Sequence, residues 1–110
     1  MMAGVAGRYA SALLETASEQ GQLAAIEADI DTLQGALAES DDLRRMVRSP
    51  VFSADDQSKA LDALLGRMGV NPLTLNFFKV LARNRRLFAA EDIIRAFKAL
   101  AAEARGEVQA

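Results

Sequence analysis

At 110 residues, with 51% hydrophobic and 25% charged content, the chain is long enough for one domain with a real core and too short for two. Its 13 basic side chains against 15 acidic ones leave a net charge of −2, which disfavours nucleic acid as a partner. Cysteine and histidine are both absent, which excludes a disulfide framework, a thiolate or imidazole metal site, and the commonest nucleophile and general base.

Aromatic residues make up only 5% of the chain, while Ala, Leu, Glu and Arg are plentiful. Such a composition suits helices that interdigitate aliphatic side chains, so the expected fold class is all-α, a compact six-helix bundle with short connections. No apolar run approaches the ~20 residues needed to cross a bilayer, so no direct membrane insertion is expected. The opening stretch MMAGVAGRYASALLE has no charged region followed by an apolar one, and no signal or transit peptide is expected from it.

The first helix is expected from Ala3 to Glu19, ending near Gly21, a residue that takes the left-handed conformation without strain. The second runs from Gln22 to Ala38. Its Leu23, Ile26, Ile30, Leu33 and Leu37 share an arc of about 80°, the narrow seam of a plain packing helix. Ser40 caps a short third helix, with Asp41 and Asp42 at its positive end and Arg44, Arg45 and Arg48 toward its negative end; Pro50 stops it at Ser49.

Ser53 with Asp56 resembles a capping box and opens a fourth helix whose Leu61, Leu64, Leu65 and Met68 point inward. Gly66 and Gly69 loosen its end. Asn71 and Pro72 form a cap followed by a first-turn proline, starting a fifth helix that runs to Arg83 or Asn84. The sixth covers Ala89 to Arg105, with Ile93, Phe97, Leu100 and Ala104 on one stripe.

Two of these helices carry more apolar surface than a core stripe needs. In the fifth, Leu73, Phe77, Val80 and Leu81 form one stripe, and Leu75 and Phe78 widen the arc to roughly 220°. In the first, Val5, Ala6, Tyr9, Ala10, Ala12, Leu13 and Leu14 cover roughly 200°, against about 120° for the sixth helix. If the two are neighbours, their surplus faces make one groove. Tyr9 and Ala12, with Leu13, would form one wall, and Asn76, Phe77, Val80 and Arg83 the other. A small residue such as Ala12 lets an incoming helix approach closely, and Tyr9 offers apolar area plus a hydroxyl. The competing reading makes helix five the central helix of the bundle, covered on several sides.

Little in the chain speaks for chemistry. Asp41/Asp42, Asp55/Asp56 and Glu91/Asp92 all fall in first turns of expected helices, where the helix dipole accounts for them. Asp29 and Asp31, two apart, cannot share a helix face to hold a metal. GVAG and GRMG lack the strand and the Lys-Ser/Thr of a phosphate loop. Arg83, Arg85 and Arg86 are the one dense basic cluster, placed to complement a helix C-terminus; anion or acidic-partner binding is the alternative. No cofactor, no metal and no enzymatic activity are expected.

GRYASALLETA resembles the RYAxAL signature that opens the delta subunit of bacterial F-type ATP synthases, counterpart of the mitochondrial oligomycin-sensitivity-conferring protein. NFFKVLARNRRL resembles a second block of that family, and Leu43 to Pro50 the short helix and turn between the two. The resemblance covers essentially the whole chain. Two departures stand out: Arg85 where the family usually has Gly, and Gly7 where a basic residue is frequent.

The resemblance implies a non-catalytic stator component whose six-helix N-terminal domain grips the amphipathic N-terminal helix of an alpha subunit between helices one and five. Tyr9, Ala12 and Val80 match positions associated with that contact. It further implies that residues 1–105 are the N-terminal domain, that 106–110 begin a linker, and that peripheral-stalk b subunits are met only through a C-terminal domain beyond this chain. The implied location is peripheral, on the cytoplasmic face of the cell membrane. The alternative is a free-standing helical adaptor that binds another amphipathic or acidic segment through Arg83, Arg85 and Arg86.

Overall fold

The computed structural model describes residues 4–106. Ala3, where the first helix was expected to start, and most of the expected linker, 107–110, lie outside the described residues. Six α-helices and one short 3-10 turn follow in order: α1 Val5–Glu19, α2 Leu23–Glu39, α3 Asp41–Arg48, α4 Ala54–Met68, α5 Pro72–Arg83, the 3-10 turn Leu87–Ala89, and α6 Ala90–Ala104. No strand occurs among the described residues, in agreement with the all-α expectation.

The ends of the helices are set by local chemistry. Ser40, Ser53 and Asn71 each accept a hydrogen bond from a first-turn N–H, of Leu43, Asp56 and Leu73 respectively. Arg44 donates to the carbonyls of Leu37 and Ala38, at 2.5 and 2.9 Å, and so satisfies the last turn of α2 from outside. α1 closes with Gly21 at φ 67, the N–H of Gln22 reaching back to the Ala17 carbonyl. α5 closes the same way without glycine. Arg85 takes φ 58, its N–H bonds to Ala82 and that of Arg86 to Leu81. The glycine-type helix ending is thus kept although arginine stands there.

Two close helix pairs, α1 with α6 and α4 with α5, are tied together by α2, which touches α1, α3, α5 and α6. Small buried residues accompany the α1–α6 pairing, Gly7, Ala10 and Ala17 on one helix and Ala90 and Ala101 on the other. They let the two backbones come close. Between the pairs lie Leu13, Ile26, Ile30, Leu61, Leu65, Phe78, Leu81, Ile93, Ile94 and Phe97, all at most 2% exposed. Leu87, in the 3-10 turn, is also buried and seats that turn against α3, α5 and α6.

Leu64, Met68 and Leu100 are half-buried and pack against the core, as expected, whereas Ala104 is exposed; Ala101 is the buried residue of the last turns of α6. Ala104 lies only about 20° round the helix from Ile93, so it stays on the stripe; it is exposed as the last residue of α6 and not because the face changes. α6 also starts later than expected, since Leu87–Ala89 forms a separate 3-10 turn.

Candidate functional site: a groove between helices one and five

α5 is held by two helices from behind. Asp29 on α2 accepts the Asn71 N–H at 2.8 Å and the Thr74 hydroxyl at 2.7 Å. The Asn71 amide donates in turn to Gln22 at 2.6 Å. On the other flank Lys79 pairs with Asp62 of α4 at 2.9 Å. α1 is held separately, by its packing along α6. The two helices therefore stand side by side without packing closely on each other.

They meet through side chains at one end. The rings of Tyr9 and Phe77 make an edge contact, with centroids 6.3 Å apart at 74°, and Phe77 stands edge-on to the buried Phe78 at 5.2 Å. The Asn84 amide donates to the Tyr9 hydroxyl at 3.2 Å. Beyond this junction the seam opens into a groove of about 300 Å³ lined by Tyr9, Ala12, Leu13 and Thr16 from α1, and by Leu73, Asn76, Phe77 and Val80 from α5.

No ionisable group other than the tyrosine lines this groove. The Thr16 hydroxyl donates back to the Ala12 carbonyl at 2.9 Å, so this polar group has its partner within α1. Val80 is 39% exposed, one of three large apolar residues among the described residues that face solvent to this degree. An apolar, preformed cleft with amide and hydroxyl groups at its edge suits an amphipathic segment laid along it. Nothing in it suits bond-making chemistry. Among the described residues no group of three carboxylates stands ready to hold a metal ion.

Residues 5–110 match the family model for the ATP synthase delta (OSCP) subunit. The chain belongs to that family. It is 57% identical over 109 residues to ATP synthase subunit delta of Nitrobacter winogradskyi, and 54% identical over 109 residues to that of Rhodopseudomonas palustris. Each alignment takes in 99% of this chain and 59% of the relative, so the chain spans about three fifths of the length of these relatives. A chain in the cryo-EM structure of the Toxoplasma gondii mitochondrial ATP synthase hexamer superposes with a TM-score of 0.80 at 34% identity, over 86% of this chain and 53% of that one. The family is thus shown by sequence, and a chain of a solved ATP synthase has the same helical fold.

Of the residues expected in the groove of this delta/OSCP chain, Tyr9, Ala12, Leu13, Asn76, Phe77 and Val80 line it together. Arg83 does not. It opens instead into a neighbouring depression with Asp55, Lys59, Asp62 and Lys79, because position 83 lies three residues beyond Val80 and turns toward α4. Thr16 and Leu73 were not among the expected wall residues, and Leu73 is half-buried there. Both continue the i, i+3, i+4, i+7 series of their own walls, through 9, 12, 13, 16 and 73, 76, 77, 80; that spacing was the available signal.

Arg83, Arg85 and Arg86 do not converge on one patch. Arg85 turns away from Arg83 toward the α3–α4 connection, where it donates to Gln57 and to the Pro50 carbonyl.

Proposed function

We propose that this chain is the head-gripping part of an ATP synthase delta-type subunit, a non-catalytic element of the stator. In this reading the α1–α5 groove takes the amphipathic N-terminal helix of an alpha subunit, and so helps connect the catalytic head to the peripheral stalk during proton-driven ATP synthesis. Residues 1–105 act as the head-binding domain, and stalk b subunits are met by a C-terminal domain outside these residues. The working place is the cytoplasmic face of the cell membrane, as a peripheral part of the complex. No helix among the described residues is long and apolar enough to cross a membrane.

The observation that carries this reading is the groove itself, an open apolar cleft walled by Tyr9, Ala12, Phe77 and Val80 between two helices braced from behind. An incoming helix would bury Val80 and rest its backbone on Ala12.

Titration calorimetry with a synthetic alpha-subunit N-terminal peptide tests it. Val80→Asp and Ala12→Asp should each weaken binding by about a hundredfold or more, since an unpaired carboxylate would be desolvated in an apolar seam, while the helical circular dichroism stays unchanged. Added salt should weaken binding little. Wild-type affinity in both variants would remove the groove from the alpha contact.

A further inference from the structure

The large apolar side chains exposed among the described residues are Val80, which lines the groove, and Val51 and Phe88, which do not. Phe88 is 60% exposed. It walls a cavity of about 430 Å³ together with Arg48, Ser49, Pro50, Gln57 and Arg85. This cavity shares no residue with the groove. Two guanidinium groups line it and no carboxylate does.

The two arginines differ in what holds them. Arg48 is bonded to both carboxylate oxygens of Glu91, at 2.7 and 2.9 Å. Arg85 donates only to neutral acceptors, Gln57 Oε1 and the Pro50 carbonyl, each at 3.3 Å, and no carboxylate among the described residues pairs with it. Gln57 is buried and donates to the Met46 carbonyl at 3.2 Å, so the acceptor that aims Arg85 is itself fixed.

Arg85 also holds the one positive φ of a non-glycine residue among the described residues. Glycine would end α5 there without strain, and a strained arginine at a helix end points to a use for its side chain. Fastening the α3–α4 turn accounts for two long hydrogen bonds. It leaves the charge unneutralised beside an exposed aromatic ring.

We propose that this cavity is a second docking site, distinct from the groove, for an acidic segment of a partner protein that sets a carboxylate on Arg85 and an apolar side chain against Phe88. Charge decides the occupant. A guanidinium with unused N–H donors takes a carboxylate in a bidentate fork, and the charge of Arg85, which no carboxylate offsets as Glu91 offsets Arg48, disfavours a basic segment. Its two arginines set this site apart from the α1–α5 seam, where the tyrosine is the one ionisable group of the lining.

Amide NMR on the isotope-labelled 110-residue chain at low salt provides the test. The probe is an end-blocked pentapeptide of glutamate, phenylalanine, glutamate, aspartate and leucine, beside a control with lysine in place of each acid. Expected are shifts at the amides of Arg48, Ser49, Gln57, Arg85 and Phe88 but not at Ala12, Thr16 or Val80, with affinity falling about tenfold when salt rises tenfold. Arg85→Gly removes the guanidinium while relieving the left-handed strain, so it should keep the fold and weaken the peptide about tenfold or more.

Unchanged affinity in Arg85→Gly, or equal binding of the lysine control, would overturn the proposal. Inorganic phosphate giving the same shifts, Phe88 included, would make the cavity a small-anion site instead, and concentration-dependent shifts without peptide would make it a self-association surface. Shifts confined to Ala12, Thr16 and Val80 would remove the second site and leave the groove reading standing.

Discussion

The α2–α6 flank and the α1–α5 seam are both lines along which two helices of the bundle run side by side, and they are finished in opposite ways. Across α2–α6, Lys98 pairs with Asp31 at 3.0 Å and donates to Gln34 at 2.8 Å, while Arg105 pairs with Glu27. The long stems of such side chains cover apolar surface and their charges face water. Across α1–α5 no ion pair runs; the helices touch at Tyr9, Phe77 and Asn84, and Ala12 and Val80 are too short to close the remainder. A flank bridged by its own charges has made most of its contacts already, and the depression left on it, about 140 Å³, is less than half the volume of the groove. An apolar seam propped open from behind has its contacts still to be made.

Two adjacent phenylalanines on α5 give the sharpest way to break this comparison. Phe78 is fully buried, and Phe78→Ala should cost about 3–5 kcal/mol in urea unfolding. Phe77 is half-buried at the groove, so Phe77→Ala should cost only about 1–2 kcal/mol while its larger effect falls on affinity for a groove-binding helix. Equal losses of stability in the two variants would mean that the seam is ordinary core.

Next in size are the two aspartates of α2, which look alike in sequence. Asp29 is the acceptor for the Asn71 N–H and for the fully buried Thr74 hydroxyl. Asp29→Ala orphans both donors and should cost about 2–3 kcal/mol, with the amide signals at the start of α5 shifting as the groove wall loosens. Asp31 meets Lys98 at an exposed site, so Asp31→Ala should cost less than about 1 kcal/mol and leave the groove unmoved. A groove that keeps its peptide affinity in Asp29→Ala would show that α4 alone braces α5.

The groove was legible in the sequence because arc width is a local quantity, readable from 73, 77, 80 and 81 on α5 and from 5, 9, 12 and 13 on α1. What arc width does not say is which side of a surplus face the bundle will cover. Ala10 and Ala12 look equivalent along the chain, yet Ala10 is fully buried and Ala12 lines the open seam. That distinction depends on where α6 docks, a contact about eighty residues away. Leu73 was left out of the expected walls and Arg83 put into one for the same reason, since spacing fixes neighbours on a helix but not the partner each one meets. The caps at Ser40, Ser53 and Asn71 were readable because a cap involves residues within three positions. The left-handed ending at Arg85 was not, because propensity alone argues against it there.

The smallest expected effect concerns a contact of the α2–α6 kind placed elsewhere, the ion pair that joins α3 to α6. Its two bonds from the Arg48 guanidinium hold the Glu91 carboxyl below the ordinary value of 4.5, with partial burial opposing and the charges of Arg48, Arg95 and Arg44 adding to the shift. The folded value lies below the unfolded one, so the contribution is fully present above about pH 4.5 and is lost as pH falls through the lower folded value. Arg48→Met should therefore lower stability at neutral pH by a small amount, because the arginine is largely exposed and salt screens the pair. The gap from wild type should close on acidification, and an NMR titration of Glu91 in the variant should move up toward 4.5. A gap that persists below the folded value would mean that the Arg48 stem, packed along the cavity beside Phe88, contributes more than its charge, which would bring this contact closer to the apolar seam than to the charged flank.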